Sequence, residues 1–191
     1  MKELQTFGEI MDKGEISYEK YKNGDDQGFY EIVREYFDGL AAYINGIVGD
    51  FGLAEELADD ALLKLALKKP DFNKKSSFKT WLYSIGRNAA LDSLRKKSHV
   101  FVSIDDADGV TDGPEREYIK SERNRQLYRA LEKLKPEYRE VLYLSYFENM
   151  SADDISALTR KSKGSVYTLM NRARASLKEI LQKEGFDYEN V

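Results

Sequence analysis

The 191-residue chain predicts an all-α fold, two small helical domains joined by an acidic linker. Apolar residues recur at three- and four-residue steps over 26–97 and again over 123–183, with no convincing strand alternation between them. Residues 98–122 interrupt this pattern. Asp105, Asp106, Asp108, Gly109, Asp112, Gly113 and Pro114 fall there, the residue types of turns and linkers. The short apolar run Val100-Phe-Val102 with Ile104 leaves that linker a means of docking on a domain.

The elements follow in order. Residues 1–25 read as an N-terminal extension. A first helix is expected from Asp26 to Val48, with Phe29, Val33, Phe37 (or Tyr36), Leu40, Ile44 and Ile47 on one face. Asp50-Phe-Gly52 reads as a turn. A second helix from Leu53 to Lys68 buries Leu57, Ala61, Leu62 and Leu65, and Pro70 closes it by disfavouring helical geometry in the residue before it. Ser76 or Ser77 caps a third helix, which reaches Lys97 and turns Phe78, Trp81, Leu82, Ile85 and Ala89 inward. Tyr83, Arg87, Asn88 and Arg95 are left for its outer face. Beyond the linker, Leu127, Ala130, Leu131 and Leu134 are in helical phase, and Pro136 opens a further helix with Val141, Leu142, Leu144 and Phe147 inward.

Composition excludes several classes of function. Without cysteine there is no disulfide framework or thiolate metal site, which fits a reducing cytoplasm. Met1 to Gly14 has no long apolar run, and no stretch approaches the ~20 apolar residues that span a bilayer, so neither export nor membrane insertion is expected. His99 is the only histidine and no glycine-rich phosphate loop occurs, so the chain is read as no enzyme and as needing no cofactor. Glu55, Glu56, Asp59 and Asp60 lack the accompanying ligands of a metal site.

The net charge of −4 hides a strong polarity. Arg160, Lys161, Lys163, Arg172, Arg174 and Lys178 occur in a stretch without a single acid, and Asp92 is the only acid between Lys74 and Lys97. Acid gathers at 50–60 and at 105–122. Charge distribution, not the net value, decides whether a chain suits nucleic acid.

Ser151-Ala-Asp-Asp154 has the form of a capping box, opening a short helix with Ile155 and Leu158 inward. Thr159-Arg-Lys161 turns the chain. Ser162 then caps a second helix whose inward stripe is Val166, Met170, Ala173 and Leu177. Two short helices, a tight turn and a basic outer face make a DNA-binding helix-turn-helix. Lys163, Ser165, Tyr167, Thr168 and Asn171 are placed to meet base edges, Arg160, Lys161, Arg172 and Arg174 suit phosphates, and the capping Ser162 is counted with them as DNA-binding. A helical hairpin packed on another protein would use the same caps and stripes; the acid-free basic face favours DNA.

In Phe78-Lys-Thr-Trp-Leu-Tyr-Ser-Ile-Gly-Arg-Asn88, aromatic and basic residues interleave, a pattern that stacks unpaired bases and follows a backbone. The segment Lys75 to Arg95 resembles region 2 of the extracytoplasmic-function sigma factors of the sigma-70 superfamily. Leu134-Lys-Pro-Glu-Tyr-Arg-Glu-Val-Leu-Tyr-Leu-Ser-Tyr-Phe-Glu148 through Arg174 resembles their region 4. The likeness runs from about Gly24 to Gln182 in the family's order. It implies region 2 at 26–97, a linker at 98–122, region 4 at 123–183 and a tail at 184–191. It also implies that Glu55, Glu56, Asp59, Asp60 and Lys64 dock on core RNA polymerase. Asn73, Lys74, Lys75, Ser76, Lys79, Tyr83, Arg87, Asn88 and Arg95 would meet the −10 element, and the second helix of the helix-turn-helix the −35 element of promoter DNA. An anti-sigma factor is a possible further partner.

The chain departs from the family pattern at Asp59-Asp60, Leu62 and Ala66 in the docking helix. It departs again at Arg160-Lys161 and at Tyr167, Thr168 and Leu169 in the reading helix, so no promoter sequence transfers. A stand-alone helix-turn-helix regulator, or a sigma-like protein that only binds polymerase or an inhibitor, is the alternative. The acidic docking helix separates these readings, because a plain regulator gains nothing from negative charge beside its DNA site.

Overall fold

A computed structural model describes residues 12–100, 127 and 129–185; the linker expectations for residues 101–122 lie outside the described residues. Among the described residues every regular element is helical: α1 (Lys13–Lys22), α2 (Gln27–Val48), α3 (Phe51–Lys68), α4 (Phe78–Val100), α5 (Pro136–Tyr146), α6 (Ala152–Thr159) and α7 (Lys163–Lys183). A further helical stretch covers 129–132, where Ala130 and Leu131 are buried.

The first unit packs α2 against α1, α3 and α4. Helix α2 carries Ile32, Tyr36, Leu40, Ala41, Tyr43 and Ile44 into the core, while Phe29, Val33 and Phe37 sit at its margin. The expected stripe is therefore right in the second half of the helix and rotated in the first. Its rotation has a cause, since α1 covers a flank that periodicity alone treats as open. Gly49, at φ 71°, ends α2 with its N–H on the Asn45 carbonyl at 2.8 Å. Asp50 then caps α3 through the Leu53 amide at 3.1 Å, so the helix begins at Phe51, two residues earlier than expected. Helix α3 buries a small-residue stripe, Ala54, Ala58 and Ala61, together with Leu62 and Leu65.

Helix α1 lies inside the segment that reads as an extension. Its pattern is faint, yet Tyr18 is completely covered and donates to the Pro70 carbonyl at 2.6 Å. Burial lifts the Tyr18 hydroxyl to a pKa of about 12. Asp12 holds the helix from its N-terminus in two ways. One carboxylate oxygen caps α1 through the Glu15 amide at 3.0 Å, and the other accepts from the Phe78 amide at the start of α4 at 2.6 Å. Ser77, as expected, accepts from the Thr80 amide at 3.1 Å. Two caps thus share one helix terminus. Around it Tyr18, Phe72, Phe78 and Trp81 form a ring cluster with centroids 5.2–5.8 Å apart, in which Trp81, half-buried, packs against the core rather than inside it.

The second unit packs α5 on α7, with α6 set against both. Val141, Leu142, Leu144, Ile155, Leu158, Val166, Met170 and Ala173 are buried, as the sequence predicts. The two units do not stand apart. Helices α2 and α4 pack against α5 and α6, and one contiguous buried cluster runs through both.

Removing either anchor of α1 should weaken the first unit. Asp12→Ala should cost about 1–2 kcal/mol, the usual loss of a cap. A Cβ at Gly28 would lie 2.2 Å from the Ser17 carbonyl oxygen and 2.8 Å from the Tyr21 amide. Gly28→Ala must therefore push α1 off α2, at a cost of about 2–3 kcal/mol. Urea unfolding midpoints check both, and wild-type midpoints would show that α1 contributes nothing.

Candidate nucleic-acid interface

Helix α6 opens on a complete capping box: Ser151 Oγ accepts from the Asp154 amide at 3.1 Å, and an Asp154 carboxylate oxygen accepts from the Ser151 amide at 3.2 Å. Arg160 ends the helix in the left-handed region at φ 57°, a conformation that costs a non-glycine residue about 1–2 kcal/mol. Ser162 starts α7 through the Ser165 amide at 3.2 Å. The tight turn then brings the start of α7 to the surface. Ser162, Lys163, Ser165, Tyr167, Thr168, Asn171, Arg172 and Arg174 are all exposed, as is Arg160, and Lys161 is half-buried. A concavity of about 620 Å³ opens there, lined by Lys161, Ser162, Ser165, Thr168 and Arg172 with Gly164, Leu169 and Glu137. Lys163 pairs with Asp153, and Arg174 donates to the Tyr146 hydroxyl at 2.9 Å while lying over its ring. From Lys163 to Lys178 the outer face of α7 thus presents donors and cations with no acid of its own.

The residues assigned to the −10 element divide into two groups. Asn73, Lys74 and Lys75 lie exposed on the loop before α4, with Ser76 half-buried. Asn73 accepts from the Lys75 amide at 3.1 Å, and Lys74 pairs with Glu15 at 2.5 Å. Asn88 and Arg95 are exposed on α4, and Arg95 pairs with Asp92 one turn away at 3.1 Å.

Lys79, Tyr83 and Arg87 face the second unit instead. The expectation of an open outer face is wrong for Tyr83, which is 1% exposed, and for Arg87, whose side chain is 16% exposed. The physical reason is that α4 is covered on two sides, by α2 and α3 on one and by α5 and α6 on the other. Single-stripe periodicity cannot register a second covered face.

The joint between the units is polar and closely fitted. Glu148, 8% exposed at the end of α5, accepts from the Tyr83 hydroxyl at 2.8 Å and pairs with Lys79 at 2.6 Å. Lys79 also donates to the Glu148 carbonyl at 2.9 Å. Glu140 accepts from the Tyr43 hydroxyl at 2.9 Å and from Arg87 through both carboxylate oxygens, at 2.7 and 3.4 Å. Thr80 donates to Asp154 at 2.8 Å, tying the capping box of α6 to α4. Gly39 leaves the necessary room, because a Cβ there would lie 2.5 Å from the Tyr83 hydroxyl and 3.1 Å from Glu148. Tyr83, Tyr43, Tyr143 and Phe147 stack in a column across the joint.

Burial, then the neighbouring carboxylates, push the Tyr43 and Tyr83 hydroxyls well above their ordinary pKa, so both stay donors. Burial works against the Arg87 cation, but the Glu140 carboxylate outweighs it and lifts the Arg87 pKa. Glu140, Glu148, Thr80 and Asp154 are the site residues that sequence reasoning missed. Polar positions on an amphipathic helix read as solvated, and only the partner helix shows otherwise.

On the far side of the first unit, the outer face of α3 exposes Glu56, Asp59, Asp60 and Lys64, with Glu55 half-buried beside them. Leu63 and Leu67 are exposed among these charges, at 52% and 82%. None of the described helices is long and apolar enough to cross a membrane.

Two family descriptions match this chain: Sigma-70 region 2 over residues 32–100, and Sigma-70, region 4 over 124–177. Among its relatives, the extracytoplasmic-function RNA polymerase sigma factor SigW of Bacillus subtilis is 28% identical over 91% of this chain and 98% of its own. The RNA polymerase sigma-H factor of Pseudomonas aeruginosa is 27% identical over 86% of this chain and 91% of its own. Two solved structures share the fold. The sigma factor RpoE of Bartonella quintana, in complex with the anti-sigma factor NepR, superposes with a TM-score of 0.67 at 23% identity over 81% of this chain and 96% of that one. CnrH, in complex with the cytosolic domain of CnrY, gives 0.66 at 22% identity over 90% and 99%. With both regions matched in order, and full-length relatives of the same type, the chain belongs to the sigma-70 family of RNA polymerase sigma factors, in its extracytoplasmic-function group.

Proposed function

We propose that this sigma factor holds the −35 element of its promoters with α7, meets the −10 element with α4 and the loop before it, and docks on core RNA polymerase with the outer face of α3. The observation that carries this reading is the exposed basic face of α7 over Lys163 to Lys178, which holds no acid, beside a concavity lined mainly by hydroxyls and cations, on the same chain as an exposed acidic helix. Phosphate contacts from Arg160, Lys161, Arg172 and Arg174 supply affinity and register, and Ser165, Tyr167, Thr168 and Asn171 supply base discrimination. The acids of α3 would be repelled by DNA and suit a basic protein surface, with Leu63 and Leu67 adding apolar area.

Regions 2 and 4 span 26–97 and 123–183 in this reading. The chain works in the cytoplasm, catalyses no reaction itself and needs no cofactor. An anti-sigma factor is proposed as a further partner, as in the solved complex of RpoE with NepR.

With core polymerase, the purified chain should give start-site-specific run-off transcripts from the DNA upstream of its own gene, while binding that DNA feebly alone. Tight sequence-specific binding without polymerase would instead favour a stand-alone regulator. Charge reversal at Asp59 and Asp60 should weaken polymerase binding by roughly tenfold or more, since like charges set face to face cost several kcal/mol. Circular dichroism should be unchanged, because both residues are exposed. Unaltered polymerase affinity would move the docking surface elsewhere.

Arg160→Gly separates DNA contact from folding. Relief of the left-handed backbone should raise stability by about 1 kcal/mol. Loss of the cation should weaken binding and lower the slope of log affinity against log salt by about 1. A variant that is stabilised and binds −35 DNA normally would remove Arg160 from the interface.

A further inference from the structure

Polar side chains in and just before α1 converge on one target. Asp12, Glu15, Tyr18, Tyr21 and Lys22 all reach the segment from Ala66 to Phe78, which holds the loop proposed to meet the −10 element. Tyr18 and Tyr21 donate to the Pro70 and Ala66 carbonyls at 2.6 and 3.0 Å, and Asp12 accepts from the Phe78 amide at 2.6 Å. Glu15 and Lys22 pair with Lys74 and Asp71 at 2.5 and 3.3 Å. We propose that α1 is a brace that holds the loop over 69–77 in its DNA-receiving conformation, with Glu15 and Tyr18 as positioning residues. This rests on the assignment of Asn73, Lys74, Lys75 and Ser76 to the −10 element.

Three observations carry it. The loop contains two non-glycine residues in the left-handed region, Lys69 at φ 39° and Lys74 at φ 57°, a conformation that disfavours a side chain. Each is tied to α1 by its own ammonium. Lys69 donates to the Tyr21 carbonyl at 3.2 Å and lies over the Tyr21 ring, 4.2 Å from its centroid, and Lys74 pairs with Glu15. The backbone is bent at two points and held from outside at both. Between them the buried Phe72 packs on Phe78 and Trp81, with centroids 5.8 and 5.2 Å apart, which leaves Asn73, Lys74 and Lys75 as an exposed tip on a fixed base. Lastly, these contacts are separate from those that seat α1 on α2, where Ser17 and Lys20 both meet Glu31, at 2.6 and 3.2 Å. A loop that is already ordered loses less conformational freedom when a strand docks on it. Bracing therefore raises the share of molecules ready to receive DNA.

The test uses the full chain with core polymerase on the DNA upstream of its own gene. Glu15→Gln with Tyr18→Phe removes the carboxylate that meets Lys74 and the hydroxyl that meets Pro70, at nearly constant volume. Ser17→Ala with Glu31→Gln is the control, since it removes the same charge and loosens α1 from α2 but spares the loop contacts. Permanganate reactivity of unpaired thymines reads strand opening, run-off yield reads initiation, and titration of core polymerase reads holoenzyme formation.

At saturating polymerase the brace variant is expected to open DNA and initiate about five- to tenfold less than the control, with holoenzyme formation unchanged. Glu15→Gln alone should show a smaller loss in the same direction, and stands in if the double variant does not fold. Opening equal to the control overturns the proposal, because both variants loosen α1 and only one frees the loop. Opening above the control overturns it too, since Glu15 would then act only as an acid set against the strand. So does a loss matched by holoenzyme formation, which would make α1 a support of the fold alone. Asn73→Ala separates the brace from the assignment beneath it. Impaired opening by Asn73→Ala beside control-level opening by the brace variant leaves the loop at the −10 element and refutes the brace. Wild-type opening by Asn73→Ala removes the loop from that contact, and the brace falls with it.

Discussion

The buried carboxylate of Glu148 imposes the constraint around which the two halves are organised. A charge at 8% exposure is tolerable only when it is paired and hydrogen-bonded. Its partners are Lys79 and Tyr83, two side chains of a helix in the other unit. Glu140 repeats the arrangement two turns earlier on α5, with Arg87 and Tyr43. These two contacts fix the relative position of α2, α4 and α5. They require a glycine at position 39, where a side chain would collide with the cluster. The aromatic column through Tyr83, Tyr43, Tyr143 and Phe147 supplies the apolar area that polar pairs lack.

The same residues serve two demands that conflict. Lysine, tyrosine and arginine in a row on α4 suit a nucleic-acid backbone and its bases, and they suit carboxylates equally well. In the folded chain the cations Lys79 and Arg87 are paired with Glu148 and Glu140. The acidic helix α3 stands clear of the joint, so the proposed polymerase-docking face is open with the joint formed. Arg160 shows a related compromise, since a residue in the left-handed region is retained at the tip of the helix-turn-helix where glycine would be easier.

Much of the fold was legible in the residues because its signals are local. Capping at Ser77, Ser151 and Ser162, the stripe Val166, Met170 and Ala173, and the inward turn of Phe78 and Leu82 all follow from side chains reading their own helix. Helix α1 was not legible. Its hydrogen bonds join Asp12 to Phe78, Tyr18 to Pro70 and Tyr21 to Ala66, partners far along the chain. The first turns of α2 were misjudged for the same reason, because α1 covers the flank that Ile32 occupies, while Tyr36 is the one of the two expected alternatives that is buried.

By itself the sequence determined the all-α class, the helix-turn-helix with its basic face, the acidic outer face of α3 and the family resemblance. Each is written in residue spacing and charge along one element. Only the tertiary structure decided that α4 has two covered faces, that Tyr83 and Arg87 turn inward onto Glu148 and Glu140, and that Thr80 meets Asp154. An exposed salt-bridging glutamate and a buried one look alike in a linear pattern. What distinguishes them is a neighbouring helix some fifty to a hundred residues away in the chain, and only folding supplies that neighbour.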